Sequence, residues 1–120
     1  MTSLGEQFVA AIAKRDRDGM RSLLAEDVDL KGLTPSRLWE GTSPDEVNDI
    51  VFGHWFEEDE EVTAVSHVET GEVAGVERVG YRFEVDTPLG PRVVEQQVYY
   101  KVREGRIVHL RLVCSGFRVR

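Results

Sequence analysis

The residues best suited to chemistry are polar side chains set among apolar ones in the second half of the chain. Tyr81, Gln96 and Tyr100 each have valine or phenylalanine two residues away on both sides. Because alternate side chains of a strand share a face, each of the three would lie on an apolar wall. An amide and two phenols on such a wall can orient a ligand. The alternative is that they bond to one another or to a helix backbone as ordinary core.

Two tryptophans are candidates for closing such a pocket. Trp39 and Trp55 both lie in the first half of the chain, close to predicted helix or turn signals. As large apolar groups they could anchor a ligand at the mouth of the pocket. The alternative is that they are simply part of the hydrophobic core.

His109 is the candidate acid/base, because the ordinary pKa of an imidazole lies near neutrality. It is a candidate only if it faces inward, where it would act together with Tyr100 or Tyr81. The alternative is a histidine on the outer face of the sheet, paired with Tyr99 or at a dimer contact. The catalytic residues therefore stay unknown at this stage, with His109 and Tyr100 as candidates.

No metal site and no cofactor are predicted. The three histidines have no ligand spacing, and Cys114 is the only cysteine, so a multi-cysteine zinc site cannot be built. His109 and Cys114 are five residues apart, which points them to opposite faces of a regular strand. Cys114 is therefore interpreted as a small buried hydrophobic residue rather than a nucleophile.

The bulk composition predicts one soluble globular domain over residues 1–120. The chain is 41% hydrophobic and 31% charged, with a formal net charge of −7. That charge argues against nucleic acid and anionic membrane as partners, since both call for a basic face. No secretion signal and no apolar run long enough for a bilayer are apparent. A cytoplasmic location is the resulting expectation.

Helical periodicity is confined to the first half. Ser3 and Glu6 form the S-x-x-E pattern of a capping box ahead of one helix, and a second begins near Asp18. The segment "TSPDEVNDIVFGHWF" predicts a third, with Ser43 as cap and Glu46 closing its box. Between the second and third helices, "AEDVDLKGLTPSRLWEG" is expected to be a short extended passage.

From Val62 onward the apolar residues alternate, which predicts four strands over residues 62–69, 76–85, 92–102 and 106–114. The breaks between them are short and contain glycine, which favours antiparallel neighbours. Helices followed by such a meander indicate an α+β domain, with helices packed on one face of a curved, mostly antiparallel sheet.

The hairpin between the last two strands decides which side chains share a face. A three-residue loop, Arg103-Glu104-Gly105, would place Gln96 and Tyr100 with Leu110 on the core side and His109 outside. A two-residue loop would reverse the last strand and bring His109 beside Tyr100. The three-residue loop is predicted, because Glu104 suits poorly the positive φ that a two-residue turn demands.

Three segments mark the order of these elements: "LLAEDVDL", "LWEG" and "YYKVREGRIVHLRLV", the last with Gly105-Arg106-Ile107 opening its final strand. This order resembles the nuclear transport factor 2-like superfamily, and within it the SnoaL-type, polyketide-cyclase-like domains. The resemblance implies a cone-shaped half-barrel whose three helices cap an apolar pocket, usually in a homodimer. Members include isomerases, polyketide cyclases, epoxide hydrolases and dehydratases, and many have no known activity.

The chain departs from that family at one functional position. SnoaL-type enzymes commonly place an aspartate near the end of the last strand, where this chain has Val113-Cys114-Ser115-Gly116. The familiar catalytic carboxylate therefore cannot be transferred to this chain.

Three functions stay open. The leading hypothesis is a small-molecule-binding domain with an apolar pocket and no assignable catalytic carboxylate. The second is an isomerase or cyclase acting on a ring ketone or polyketide-like substrate, with His109 moving a proton. The third is a non-catalytic dimerisation or scaffold domain that uses Tyr99, His109 and Val113 on the outer face of its sheet.

Overall fold

The computed structural model describes residues 2–119 and begins with helices. Three α-helices occupy the first half, and the third continues as a π-helical turn over Val51–Trp55. Their bounds are α1, Leu4–Ala13; α2, Arg17–Leu23; and α3, Pro44–Ile50. None of the described helices is long and apolar enough to cross a membrane.

Among residues 2–119, seven strands form one unclosed sheet, and the predicted α+β class is confirmed. The strands are β1, Leu24–Thr34; β2, Arg37–Gly41; β3, Glu61–Val73; β4, Val76–Thr87; β5, Gly90–Arg103; β6, Arg106–Cys114; and β7, Arg118–Val119. In space the strands run β2-β1-β6-β5-β4-β3, with β7 paired beside β5. These neighbours are antiparallel except β1 and β6, which run parallel.

The helices start at the predicted caps. At α1 the Ser3 hydroxyl accepts from the Glu6 backbone N–H while the Glu6 carboxylate accepts from the Ser3 backbone, a complete capping box. At α3 the Ser43 hydroxyl likewise accepts from the Glu46 N–H. The second half of that box differs from the prediction, because the Glu46 carboxylate accepts from Thr42 instead.

The passage predicted to be merely extended is a β-hairpin. β1 and β2 pair antiparallel from Leu30–Gly41 to Thr34–Arg37, and the turn between them is Pro35-Ser36. β1 then lies parallel to β6 on its other side. Local periodicity did not predict this parallel pairing, because it joins segments far apart in the chain.

The predicted three-residue loop between β5 and β6 is wrong. Arg103 pairs with Arg106, and the two-residue turn between them holds Glu104 at φ +52° and Gly105 at φ +77°. A turn with both central residues left-handed matches the twist of the hairpin strands, and that match outweighs the cost of a non-glycine residue at positive φ.

The predicted division of faces nevertheless holds, for a different reason. Lys101 pairs with His109 while Val102 pairs with Ile107, so Val108 is an extra residue on β6. This β-bulge reverses the alternation once and compensates for the shorter turn. Tyr100 therefore lies opposite Leu110, on the face that the helices cover.

The hydrophobic core lies between that inner face of the sheet and the helices. Its members include aromatic and aliphatic side chains from α1, the π-helical turn and β4 to β6, all nearly inaccessible to solvent: Phe8, Ile12, Val51, Phe52, Phe83, Val98, Ile107 and Leu110. Edge strand β3 is almost wholly exposed. Helix α1 contacts β3 and β4, whereas α2 and α3 contact β1 and its neighbours β6 and β2.

Candidate functional site

A cleft of about 560 Å³ opens at the end of the molecule where β6 stops. Its size falls within the range of small-molecule sites. It is bounded by the β1–β2 turn, the end of the π-helical turn, the inner face of β5 and the segment between β6 and β7. The lining residues are Thr34, Pro35, Ser36, Trp39, His54, Trp55, Phe56, Val94, Gln96, Cys114, Ser115, Gly116, Phe117 and Arg118.

The two tryptophans form one wall of the cleft. The Trp55 indole lies directly over Gly32 of β1, where a Cβ would stand 2.6 Å from the ring atom Cη2. Trp39 meets Trp55 edge to face with ring centroids 6.4 Å apart. His54 also packs on Trp39, at a centroid distance of 5.0 Å. Only glycine at position 32 lets Trp55 approach the strand this closely.

The opposite rim is formed by a close approach of two turns. Gly116 has φ +73°, and a Cβ on it would stand 2.9 Å from Cγ of Pro35. This conformation carries the chain back so that Phe117 packs against Phe56, with centroids 6.1 Å apart. The segment after β6 thereby becomes part of the cleft.

A row of three side chains crosses the inner face of the sheet at the base of the cleft. Tyr81 of β4 lies opposite Gln96 of β5, and Gln96 lies opposite Cys114 of β6. We call these residues the polar row. The Tyr81 hydroxyl donates a short hydrogen bond to Oε1 of Gln96. Burial raises the pKa of Tyr81 well above its usual value, so its hydroxyl stays protonated and remains a donor.

Two buried donors belong to residues that line the cleft and have no partner among residues 2–119. They are Nε2 of Gln96, whose residue is 1% exposed, and Nε1 of Trp55, whose residue is 8% exposed. A buried donor without an acceptor costs about 1–3 kcal/mol. Since most buried polar groups in native proteins are satisfied, these two donors are exceptions that call for an explanation.

Tyr100 lies in the core and does not line the cleft. Its hydroxyl accepts from the backbone N–H of Gly5, at 2.9 Å, in the first turn of α1. That N–H has no partner within its own helix, so the phenol acts as an additional cap. Burial is the largest cause that raises the pKa of Tyr100.

Replacing Tyr100 with phenylalanine is expected to lower the free energy of unfolding by about 1–3 kcal/mol, because it leaves the buried Gly5 N–H without an acceptor. Urea denaturation measures the change. Tyr99→Phe, on the other face of the same strand, is the matched control and should change stability by less. Equal losses in the two variants would contradict the capping role.

His109 lies on the helix-free face of the sheet, away from the cleft. It is opposite Lys101 on β5 and beside Asp29 on β1. Partial burial, followed by the nearby cations Arg111 and Lys101, lowers its pKa. From β6, which is regular between His109 and Cys114, the two side chains leave on opposite faces. A mechanism in which His109 moves a proton in the cleft does not fit this arrangement.

The cleft therefore combines some predicted residues with others that the sequence did not single out. Gln96, Trp39 and Trp55 line it, and Tyr81 supports it from behind. Cys114 is only partly buried and lines it too, which differs from the prediction of a buried residue. His54, Cys114 and Arg118 are the titratable residues on its lining, which holds no carboxylate among the described residues.

Known proteins were compared with the chain at the level of family and of structure. A family model for the SnoaL-like domain matches residues 6–110. No curated protein matches the chain in sequence. The chain is also similar to many solved structures, at identities that establish likeness of fold alone.

Three of these structures show the range of activities for which proteins of similar fold are described. A protein from Bacillus subtilis described as an isomerase has TM-score 0.73 and 11% identity, covering 95% of this chain and 90% of its own. One from Mesorhizobium loti, described as a SnoaL-like polyketide cyclase, has TM-score 0.67 and 18% identity, with coverages of 93% and 98%. An epoxide hydrolase of M. tuberculosis has TM-score 0.66 and 12% identity, with coverages of 93% and 80%.

Proposed function

The chain belongs to the SnoaL-like domain family, and we propose that its cleft binds a small, mostly apolar molecule through a hydrogen-bond-accepting oxygen. The resemblance seen in the sequence is thereby confirmed at the level of the family. The ligand and the role of each residue are part of the proposal. The observation that carries it is the buried, unpartnered Nε2 of Gln96 at the base of an aromatic cleft.

The polar row supports this proposal because it fixes the Gln96 amide before any ligand arrives. Tyr81 holds Oε1, which leaves Nε2 as the free group of that amide. A carbonyl oxygen in the cleft would satisfy this donor, and the Trp55 Nε1–H offers a second. Trp39, Trp55 and Phe117 supply the apolar surface that a ring system requires. A ring ketone has both features.

The test compares 1-tetralone with tetralin, which has the same rings without the oxygen. Isothermal titration calorimetry or NMR titration should show tetralone binding at least about tenfold more tightly, the value of one satisfied hydrogen bond. Gln96→Leu should abolish that preference. Gln97→Leu is the matched control, since Gln97 lies on the opposite face and accepts from Arg78 at 2.9 Å.

Three results would contradict the proposal: failure of both probes to bind, equal affinity for the two, or a preference that survives in Gln96→Leu. A thermal melt of each variant establishes that it is folded, so that unfolding is not mistaken for lost binding. A preference retained by Gln97→Leu and lost by Gln96→Leu would support it.

An isomerase or cyclase is the second candidate function. It is favoured because proteins described as such enzymes have the same fold as this chain. Proteins described as an isomerase and as an epoxide hydrolase have the same architecture. In this chain the cleft offers His54 and Cys114 as the groups able to carry a proton. Turnover of a ring ketone that disappears in His54→Gln, with binding of tetralone unchanged, would distinguish catalysis from binding alone.

We propose in addition that the protein forms a homodimer through the helix-free face of its sheet. Several charges on this face are paired, as between Arg78 and Glu69 and between Arg111 and Asp29. Leu33 and Val113 lie side by side on neighbouring strands and are 51% and 53% exposed. Pairing of these apolar groups across a two-fold axis would remove them from water.

Val113→Arg is expected to convert the dimer to a monomer, since two like charges would then face each other at the interface. Sedimentation velocity measures the change. Leu89→Arg is the control, because Leu89 is exposed in the β4–β5 turn, away from this face. A monomeric parent protein, or a dimer that persists in Val113→Arg, would contradict this interface.

A further inference from the structure

We propose that Cys114 is a site of covalent capture for α,β-unsaturated carbonyl compounds bound in the cleft. This inference rests on the proposed function, because it requires the same binding site for the ligand oxygen. It adds a covalent bond between Cys114 and the bound compound. A thiol alone is no evidence of a site. The argument depends on what surrounds this one.

The Cys114 sulfur is held at the edge of the cleft rather than sealed in the core. The residue is partly buried, packs against the core and lines the cleft. The backbone N–H of Gly116 donates to Sγ at 3.3 Å, which fixes the side chain relative to the turn after β6. A molecule in the cleft therefore meets the sulfur in one defined position.

The independent observation is the pair of unpartnered donors on residues that line the same cleft as the thiol. Gln96 lies directly across from Cys114 in the sheet register and is 1% exposed, with Nε2 unsatisfied. Trp55, 8% exposed, adds a second unsatisfied donor on the same cleft. Such donors stabilise an oxygen that gains negative charge during a reaction. A soft nucleophile next to an oxyanion site fits conjugate addition to an enone.

The reaction is balanced without any co-reactant. The sulfur forms a bond to the β-carbon of the enone, and the π electrons of the carbon–carbon double bond move toward the carbonyl. The enolate oxygen accepts from Nε2 of Gln96 while the charge lies on it. The proton that leaves sulfur ends on the α-carbon, so the product is a saturated ketone joined to Cys114 by a thioether.

A thiol adduct detected by mass can be assigned to one residue, because Cys114 is the only cysteine of the chain. Addition of 2-cyclohexen-1-one is followed by intact-mass spectrometry, with glutathione as the reference thiol. We expect one adduct per chain, formed at least roughly tenfold faster than on glutathione, because the cleft positions the enone and stabilises the enolate. Cys114→Ser should give no adduct.

Two further measurements separate a site from a merely accessible thiol. Gln96→Leu should slow the addition about tenfold through loss of the oxyanion donor, whereas Gln97→Leu should leave it unchanged. Cyclohexanone, which cannot react, should slow the reaction of the parent protein by occupying the cleft. Thermal melts of all variants establish that each is folded.

The results that overturn the inference are no adduct, an adduct on Cys114→Ser, or a rate equal to that of glutathione and insensitive to Gln96→Leu. If tetralone still binds in preference to tetralin in any of these cases, the covalent step alone fails and the proposed function stands. If tetralone also fails to bind, the proposed function fails with it.

Discussion

The double variant Tyr81→Phe/Gln96→Leu is expected to unfold with a free energy at least equal to that of the parent protein, while losing its preference for an oxygen-bearing ligand. The single variant Tyr81→Phe is expected to be less stable than the parent by about 1–3 kcal/mol. The difference arises because the single change leaves the whole Gln96 amide unpaired in the core. The double change removes every polar atom of the pair at similar volume, which is often neutral or stabilising.

Urea denaturation of the parent protein, both single variants and the double variant completes the cycle. Retained stability together with lost binding would show that this buried polar pair is present for the ligand and not for the fold. A double variant markedly less stable than the parent protein would contradict that account, because the amide would then be part of the structural core.

Gly32→Ala is expected to destabilise the protein by about 1–3 kcal/mol and to weaken tetralone binding, because it displaces one wall of the cleft. The new methyl group would stand 2.6 Å from Cη2 and 2.7 Å from Cζ2 of Trp55. Because the backbone of β1 is held by its hydrogen bonds to both neighbouring strands, the Trp55 ring must tilt away from β1. Tryptophan fluorescence should shift toward that of a more exposed indole.

Gly53→Ala is the matched control for this substitution. Gly53 is exposed in the π-helical turn that also carries Trp55, and a Cβ there would contact nothing within 4 Å. Alanine is favoured over glycine in helical backbone by up to about 1 kcal/mol, so the control should be neutral or slightly stabilising. An equally benign Gly32→Ala, with unchanged fluorescence and binding, would contradict the close packing described for Trp55.

Local rules were sufficient for much of the architecture. The capping pattern at Ser3 and the period-two alternation after Val62 depend on neighbours in sequence, and both are seen in the structure. The family resemblance added the arrangement of helices on the sheet. The placement of Gln96 on the inner face followed from alternation, although the turn that supports this placement has one residue fewer than predicted.

Local sequence rules could not predict the features that depend on long-range packing. The β-bulge at Val108 compensates for the short turn, and no local propensity marks it. The parallel pairing of β1 with β6 brings Gly32 under Trp55, and the positive φ of Gly116 folds the chain back past Pro35. These contacts create the cleft that leaves Cys114 partly exposed. Alternation along β6 alone predicts that Cys114 is buried. The only available signals were glycines at 32 and 116 next to apolar residues.

The most direct test of the central claim is a crystal structure of the protein with 1-tetralone bound. We predict the ring system between Trp55 and Phe117, with the ketone oxygen about 2.7–3.2 Å from Nε2 of Gln96. Tetralone bound with its oxygen directed to solvent and Nε2 still unpartnered would contradict the claim. So would a cleft closed by Phe117 with no ligand present at saturating concentration.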